Sequence, residues 1–338
     1  MEQQRPAAIG GGPALSVVIP TLGSGAALER VLVGFERQLP ARAGTFELIL
    51  GLDVAADEAT AAALASRLER TPIPARLIRG SVPGASSNRN AGLAAAAAPI
   101  VLFTDDDTIP VPAMVAEHLA WHRNHHDPEV AVLGLVRWAP DLQVTAFMRW
   151  LDRGIQFDYP FIQGIEAGWG RFFSANVSCK REFLSDTVGG FDEVNFPFGY
   201  EDLDLGLRAS EHGLRLLLNR KAIADHLREM TPEMWQSRVR RIAASERRFV
   251  AVHPEQEPWF RNIFETVSAL PPASGRGRRL ARWVPAGLPW LGPRVWESTD
   301  LYFKQLLAPA FLEGWGEAEW ADERPPGDGP ETQGAAAE

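Results

Sequence analysis

Cysteine is almost absent from this 338-residue chain: the single residue, Cys179, cannot close an internal disulfide. That excludes a disulfide-stapled secreted scaffold and leads us to expect a reducing compartment. Long apolar runs are missing as well. No stretch approaches the roughly 20 residues that span a bilayer, and the N-terminus has no basic segment followed by an apolar one. A protein that stays in the cytoplasm is therefore expected. Positive charge is in deficit, with 34 Lys and Arg against 43 Asp and Glu, a formal net charge of -9. Such a balance argues against a nucleic-acid partner, since affinity for a polyanion comes from clustered Lys and Arg. What remains is an ordinary globular mix, 46% hydrophobic and 23% charged, able to bury the core of one large or two ordinary domains.

Residues 1–13 are polar and Gly-rich and are expected to be disordered. Leu15 to Ile19 then reads as a buried strand stopped by Pro20-Thr21. Leu28, Val31, Leu32, Phe35 and Leu39 recur at helical spacing, and Glu47 to Gly51 is a second strand with Asp53 just past its end. A helix over Ala55 to Arg70 and a strand over Ala75 to Arg79 complete a βαβαβ order, which implies a parallel sheet. Ser86 or Ser87 is placed to cap a helix whose first turns carry Asn88, Arg89 and Asn90. That helix leads into the apolar strand Ile100 to Thr104, and a further helix (Val111 to His126) and strand (Val130 to Val136) follow. His118, His122, His125 and His126 crowd this later helix. With no Cys or carboxylate pattern beside them, a solvated helix face explains them better than a metal site.

Three carboxylates, Asp105, Asp106 and Asp107, stand where the Ile100 strand leaves the sheet. Like charges on consecutive residues repel, so a solvated turn or a bound cation must make them tolerable. An acidic loop capping the next helix is the plain alternative. Parallel sheets bind ligands at the carboxyl ends of their strands, which favours a site. A second acidic group lies in Phe198-Gly-Tyr-Glu201-Asp202-Leu-Asp204, where Leu203 and Leu207 set a helical spacing and put Glu201 and Asp202 at a helix N-terminus. They either complement the helix dipole or supply the base that an attacking hydroxyl needs.

Beyond Thr231 the chain turns helical and basic, with Arg238, Arg240, Arg241, Arg247 and Arg248 close together. Trp259, Trp283, Trp290, Trp296, Trp315 and Trp320 follow, and Arg276, Arg278, Arg279 and Arg282 precede the Trp283 to Trp290 stretch. Basic and aromatic residues together suit docking at an anionic membrane surface. Packing on the preceding α/β domain or on a second copy as a homodimer is preferred, because prolines interrupt any continuous amphipathic helix. Residues 323–338 are rich in Pro, Gly and acid and should be disordered.

Ser16-Val-Val-Ile-Pro-Thr21, Asp53 after the second strand, Asn88-Arg-Asn-Ala-Gly92, the triplet Asp105 to Asp107, Gly190-Phe-Asp-Glu193 and Gly199-Tyr-Glu-Asp-Leu-Asp204 occur in this order and spacing. Together they resemble the family 2 glycosyltransferases of the GT-A fold, over about residues 14–230. One departure is visible: the second strand continues as Leu52-Asp53-Val54-Ala55-Ala56-Asp57 where the family often has an Asp-Asp-Gly-Ser type loop.

The resemblance implies an α/β fold, Rossmann-like, with a mostly parallel sheet flanked by helices. Its donor half would cover about 14–110 and its acceptor half about 111–230, followed by a helical extension over 231–322. It implies a metal-dependent inverting transfer of a sugar from a nucleoside-diphosphate sugar, UDP-type favoured with GDP or dTDP as options. The acceptor would be a sugar, a lipid-linked sugar or a small metabolite. By the same resemblance Asp107 contacts Mg²⁺ or Mn²⁺ and His226 completes the coordination. Asp105 meets the ribose or donor sugar, Asp106 serves either way, and Arg89 with Asn90 belongs to the donor side. Pro20, Thr21 and Asp53 hold the base and ribose, and Trp169 and Asn176 line the acceptor side. Asp202 is the implied base, with Glu201 beside it binding hydroxyls and Asp204 as the alternative. The location is cytoplasmic or peripheral at the inner face of the membrane. The competing functions are a non-catalytic nucleotide-sugar binder, a membrane-associated assembly protein and a sugar-phosphate nucleotidylyltransferase.

Overall fold

The computed structural model describes residues 12–23, 25–38, 45–273 and 292–317. The expectations of disorder at the N-terminus and over 323–338, and the Arg276 to Trp290 membrane segment, therefore lie outside the described residues, wholly or almost so. The chain alternates β1 (Leu15–Thr21), α1 (Ala26–Glu36), β2 (Phe46–Leu52), α2 (Glu58–Glu69), β3 (Ala75–Arg79), α3 (Ala85–Ala95) and β4 (Ile100–Thr104). A short β5 (Thr108–Pro110), α4 (Met114–Asn124), β6 (Val130–Trp138), α5 (Ala146–Leu151) and β7 (Asn176–Lys180) follow, then α6 (Glu201–Glu211) and β8 (Arg215–His226). All eight strands form one sheet in the order β3-β2-β1-β4-β7-β6-β8-β5.

β1 and β2 are buried along their whole length, as the uninterrupted apolar runs of parallel strands require. β1 pairs in parallel with both β2 and β4, and the antiparallel β7 then joins β4 to β6. Pro20 does not stop β1, as the sequence suggests. It pairs with Gly51 of β2, and the pairing of β1 with β4 has already ended at Val18, so no β4 partner needs its missing N–H. Nor do Ser86 and Ser87 cap α3. The helix follows Gly84, whose φ of 123° suits glycine, without a side-chain cap. The two hydroxyls tie loops together instead. Ser86 donates to the Phe196 carbonyl and Ser87 accepts from the N–H groups of Ser81 and Val82.

The histidine-rich helix α4 is also not the solvated face expected. His118 and His122 are buried against β7, where His118 meets Ser178 at 2.8 Å and Asn176 at 2.9 Å, and His122 meets Ser178 at 2.8 Å. Burial lowers His118 to a pKa of about 4 and His122, with Lys180 nearby, to about 3. Both rings are therefore neutral partners in a polar seam.

Three C-terminal helices, α7 (Pro232–Val252), α8 (Trp259–Ser268) and α9 (Gly292–Glu317), complete the described chain. α7 buries Trp235, Val239, Ala243, Glu246 and Phe249, one stripe at spacings of three and four. Trp235 and Phe264, with Phe303, Leu307 and Phe311 of α9, join Phe147, Met148 and Trp150 of α5 in a single apolar cluster. The extension thus shares a core with the segment that follows β6.

Candidate functional site

The acidic triplet sits at the β4–β5 corner. Thr21, at the end of β1, donates its hydroxyl to Asp106 Oδ2 at 2.6 Å. Burial, opposed by that bond and reinforced by Asp107 and Asp105, raises the Asp106 carboxyl to a pKa of about 7. Arg89 reaches the corner from α3. Its Nη2 lies 2.9 Å from Asp105 Oδ1 and its Nη1 3.1 Å from Glu201 Oε1. Burial alone would lower the guanidinium's pKa, but Asp105, Asp202 and Glu201 outweigh it and raise it. One buried cation therefore joins the strand-end acids to the start of α6.

The three acids of α6 differ sharply in their surroundings. Glu201 is held by Arg89. Asp204 is buried and bound to Arg208 at 2.6 Å and to His253 at 2.9 Å, so it belongs to the scaffold and not to the site. Asp202 accepts the Ser174 N–H at Oδ2, 2.9 Å away, and its Oδ1 is buried without a hydrogen-bond partner. Burial, partly offset by Arg89 and aided by Glu201, pushes its pKa up to about 7. A buried carboxyl with one free oxygen and a pKa near neutrality can take a proton.

His226 ends β8, where it pairs with Thr108 of β5, and its Nε2 lies 3.9 Å from Asp107 Oδ2. The Arg228 N–H donates to His226 Nδ1, which assigns the ring proton to Nε2; ligation through Nε2 requires the other tautomer. Among the described residues no group of three or more His, Cys, Asp or Glu side chains could hold a metal ion. A cation here would share Asp107 and His226 with oxygens brought by a ligand, a donor set that suits a hard divalent ion.

Two positions expected in the site are turned inward. Asn176, expected at the acceptor, is fully buried in β7; it meets His118 through Oδ1 and donates to the Leu135 and Ala222 carbonyls. Asn90, expected on the donor side, exchanges two hydrogen bonds with the backbone of Phe191 and pins that loop to α3. Asp53 presents no free carboxylate either. Its oxygens accept from the Ala55 and Gly84 N–H groups and from Asn88, knitting the loops after β2 and β3. Pro20 and Thr21 end β1 beside them, with Thr21 committed to Asp106. Trp169, half-buried, packs with Tyr200 and Leu203 against the Phe196, Leu207 and Phe249 cluster.

The sequence left the α7 arginines between a membrane surface and packing on the protein, with packing preferred. Burial lowers the pKa of Arg238, opposed by the charges of Glu201 and Asp107 and aided by those of Arg241 and Arg228. Its guanidinium lies 5.7 Å from the rings of both Phe198 and Trp235, and Arg241 lies 4.7 Å over Phe198. The signal available beforehand was spacing. Trp235, Val239 and Ala243 mark the buried stripe, and Arg238 falls on its flank.

A mostly parallel sheet flanked by helices, with carboxylates at a strand end and a helix headed by two more, is the GT-A class of α/β fold. Residues 13–245 match the model of the family described as "Glycosyltransferase like family 2", and the chain belongs to that family. It is 30% identical over 280 residues to the validoxylamine A glucosyltransferase of Streptomyces hygroscopicus subsp. jinggangensis, covering 73% of this chain and 62% of that protein. A Bacillus subtilis protein, the uncharacterized glycosyltransferase YfnE, is 26% identical over 257 residues, 62% of this chain and 64% of its own length. The chain thus spans under two thirds of either relative. Among solved structures, the mannosyltransferase PcManGT of Pyrobaculum calidifontis, in complex with GDP-Man and Mn²⁺, aligns with a TM-score of 0.58 at 17% identity, covering 91% of this chain and 89% of that one. S. aureus TarS 1-349 aligns at 0.50 and 15% identity, covering 88% and 90%. These two establish the fold.

Proposed function

We propose that this chain is a metal-dependent inverting glycosyltransferase that moves a sugar from a nucleoside-diphosphate sugar to an acceptor hydroxyl in a single displacement, with Asp202 as the base. The observation that carries the reading is Arg89. By binding Asp105 and Glu201 with its two arms it sets the strand-end acids and the α6 acids one guanidinium apart.

Each group has a task in that reading. Asp202 Oδ1 takes the acceptor's proton as its oxygen attacks the anomeric carbon, while the Ser174 N–H fixes the other carboxylate oxygen. Glu201 and Asp105, both held by Arg89, are placed to accept hydrogen bonds from sugar or ribose hydroxyls. Asp107, with His226 in its second tautomer, would hold Mg²⁺ or Mn²⁺, which when bound supplies charge stabilisation to the departing diphosphate. Arg238 and Arg228 add positive charge on the same side. A carboxylate base acting directly on the acceptor inverts the anomeric centre and forms no covalent intermediate. The validoxylamine A glucosyltransferase supports a small-metabolite acceptor, and the GDP-Man and Mn²⁺ of PcManGT support a nucleoside-diphosphate donor with a divalent ion.

A thermal-shift panel of UDP, GDP and dTDP, with and without Mn²⁺, on the native chain and on Asp107→Ala tests the donor site. A ligand that binds only the folded state stabilises it by about 2.7 kcal/mol at a hundredfold excess over its dissociation constant. A Mn²⁺-dependent rise with one diphosphate, lost in Asp107→Ala, is expected. Equal shifts in native and variant protein would remove Asp107 from the donor site.

A further inference from the structure

α6 begins in an unusual way. Its N-cap is Tyr200 with φ 65°, and among the described residues it is the only non-glycine one with a positive φ. A bulky side chain in the left-handed region is strained and persists only where its surroundings hold it. Gly199, before it, also has a positive φ, and a Cβ built there would lie 3.0 Å from Ser245 Oγ. The two residues that follow are Glu201 and Asp202.

What holds this corner is α7. Ser245 Oγ donates to the Phe198 carbonyl at 2.9 Å, and the Tyr200 hydroxyl donates to Glu246 Oε1 at 2.5 Å. Glu246 is almost fully buried, and the rest of its capacity goes to α8: Oε1 also accepts the Phe260 N–H at 2.7 Å and Oε2 the Arg261 N–H at 2.9 Å. One turn from the end of the Glu246 stripe, His253 binds Asp204 of α6. A single carboxylate therefore fastens the first turn of α8 to the residue that starts the base-bearing helix.

We infer that Glu246, acting through Tyr200, is the positioning residue for Asp202, and that the C-terminal helices are part of the catalytic machinery and not an appendage. The inference rests on the proposed role of Asp202 as base. Neither residue needs to touch substrate. Their effect is to fix the direction from which Asp202 Oδ1 meets the acceptor.

The test compares full-length Tyr200→Phe and Glu246→Gln with the native chain. The first removes only a hydroxyl; the second keeps an acceptor for Tyr200 but surrenders an oxygen to which α8 is bound. Two readings are taken: steady-state turnover with the donor sugar found active on the native chain, and amide exchange at Ser174, whose N–H is held by Asp202. In Tyr200→Phe we expect kcat to fall by about tenfold to a hundredfold, as displacement of a catalytic group by an ångström does. Donor KM should be unchanged, and the Ser174 amide should exchange faster. Glu246→Gln should fall between the native chain and Tyr200→Phe in kcat. Unchanged kcat and unchanged Ser174 exchange in Tyr200→Phe would overturn the inference. So would a loss of kcat matched by an equal loss of donor binding and a lower melting midpoint, which is the mark of a general brace. If the native chain turns over no donor, the glycosyl-transfer reading fails by itself, and exchange at Ser174 still decides whether Tyr200 and Glu246 hold Asp202 in place.

Discussion

Asp202 and Arg89 are the residues on which the site's electrostatics turn. In its proposed role as base Asp202 must be unprotonated, and burial raises its pKa from the ordinary carboxylate range to about 7. Activity should therefore climb with pH up to about 7 and level off above it, and Asp202→Asn should lower kcat by about 10² to 10⁴ while leaving donor binding intact. The same shift acts on stability. The folded state holds the Asp202 proton more tightly than the unfolded state, so this group's contribution to stability is greatest below pH 4 and is lost as pH rises to about 7. Asp202→Asn should melt higher than the native chain at pH 8, with the gap shrinking toward pH 4; calorimetry across that range checks it. Arg89→Met should have the opposite effect. It strands Asp105 and Glu201, and removing one partner from a buried ion pair costs about 3 to 5 kcal/mol, which a denaturant midpoint will show.

At the scale of elements, the seam between α4 and β7 gives the fold its own pH dependence. His118 and His122 are neutral at pH 7 and accommodated as such by Ser178 and Asn176. Their folded pKa values lie below the ordinary 6.5, so their contribution is complete above pH 6.5 and fades as pH falls toward 4. Replacing His118 with Gln should flatten that slope in an acid-unfolding series. This seam also shows where reading the sequence stops. β1, β2, β3 and β4 were legible as apolar runs separated by helical spacings, and so was the placing of the Asp triplet at the end of a strand. The polar strand β7, Asn-Val-Ser-Cys-Lys, was not, because its partners on β4 and β6 lie far away in sequence. Asn90 and Asn176 were placed in the site by family resemblance, yet which way a helix or strand turns a side chain is set by packing. The burial of Arg238 was not legible for the same reason: it feels the charges of Glu201 and Asp107 only once α7 has docked.

Across the whole molecule, the C-terminal helices are integral to the packing. Phe311 of α9 is fully buried, 4.9 Å from the ring of Phe264 and 6.2 Å from that of Phe260, the residue whose N–H meets Glu246. Phe311→Ala should destabilise the chain by about 3 to 5 kcal/mol, and ending the chain at Pro254 should expose the Phe147, Trp150 and Trp235 cluster and abolish donor turnover with it. A membrane-assembly role for the tail predicts that turnover survives. No described helix is long and apolar enough to cross a membrane. Two arginines of α7, Arg238 and Arg241, lie over Phe198 and, for Arg238, Trp235 within the fold. The decisive measurement of glycosyl transfer is release of nucleoside diphosphate from a panel of UDP-, GDP- and dTDP-sugars with Mn²⁺, run on the native chain and on Asp202→Asn. The native chain should release diphosphate from one donor, and EDTA should abolish that release. Asp202→Asn should still show that diphosphate's thermal shift but turn over at least about a hundredfold more slowly. Turnover by Asp202→Asn at the native rate would contradict Asp202 as the base.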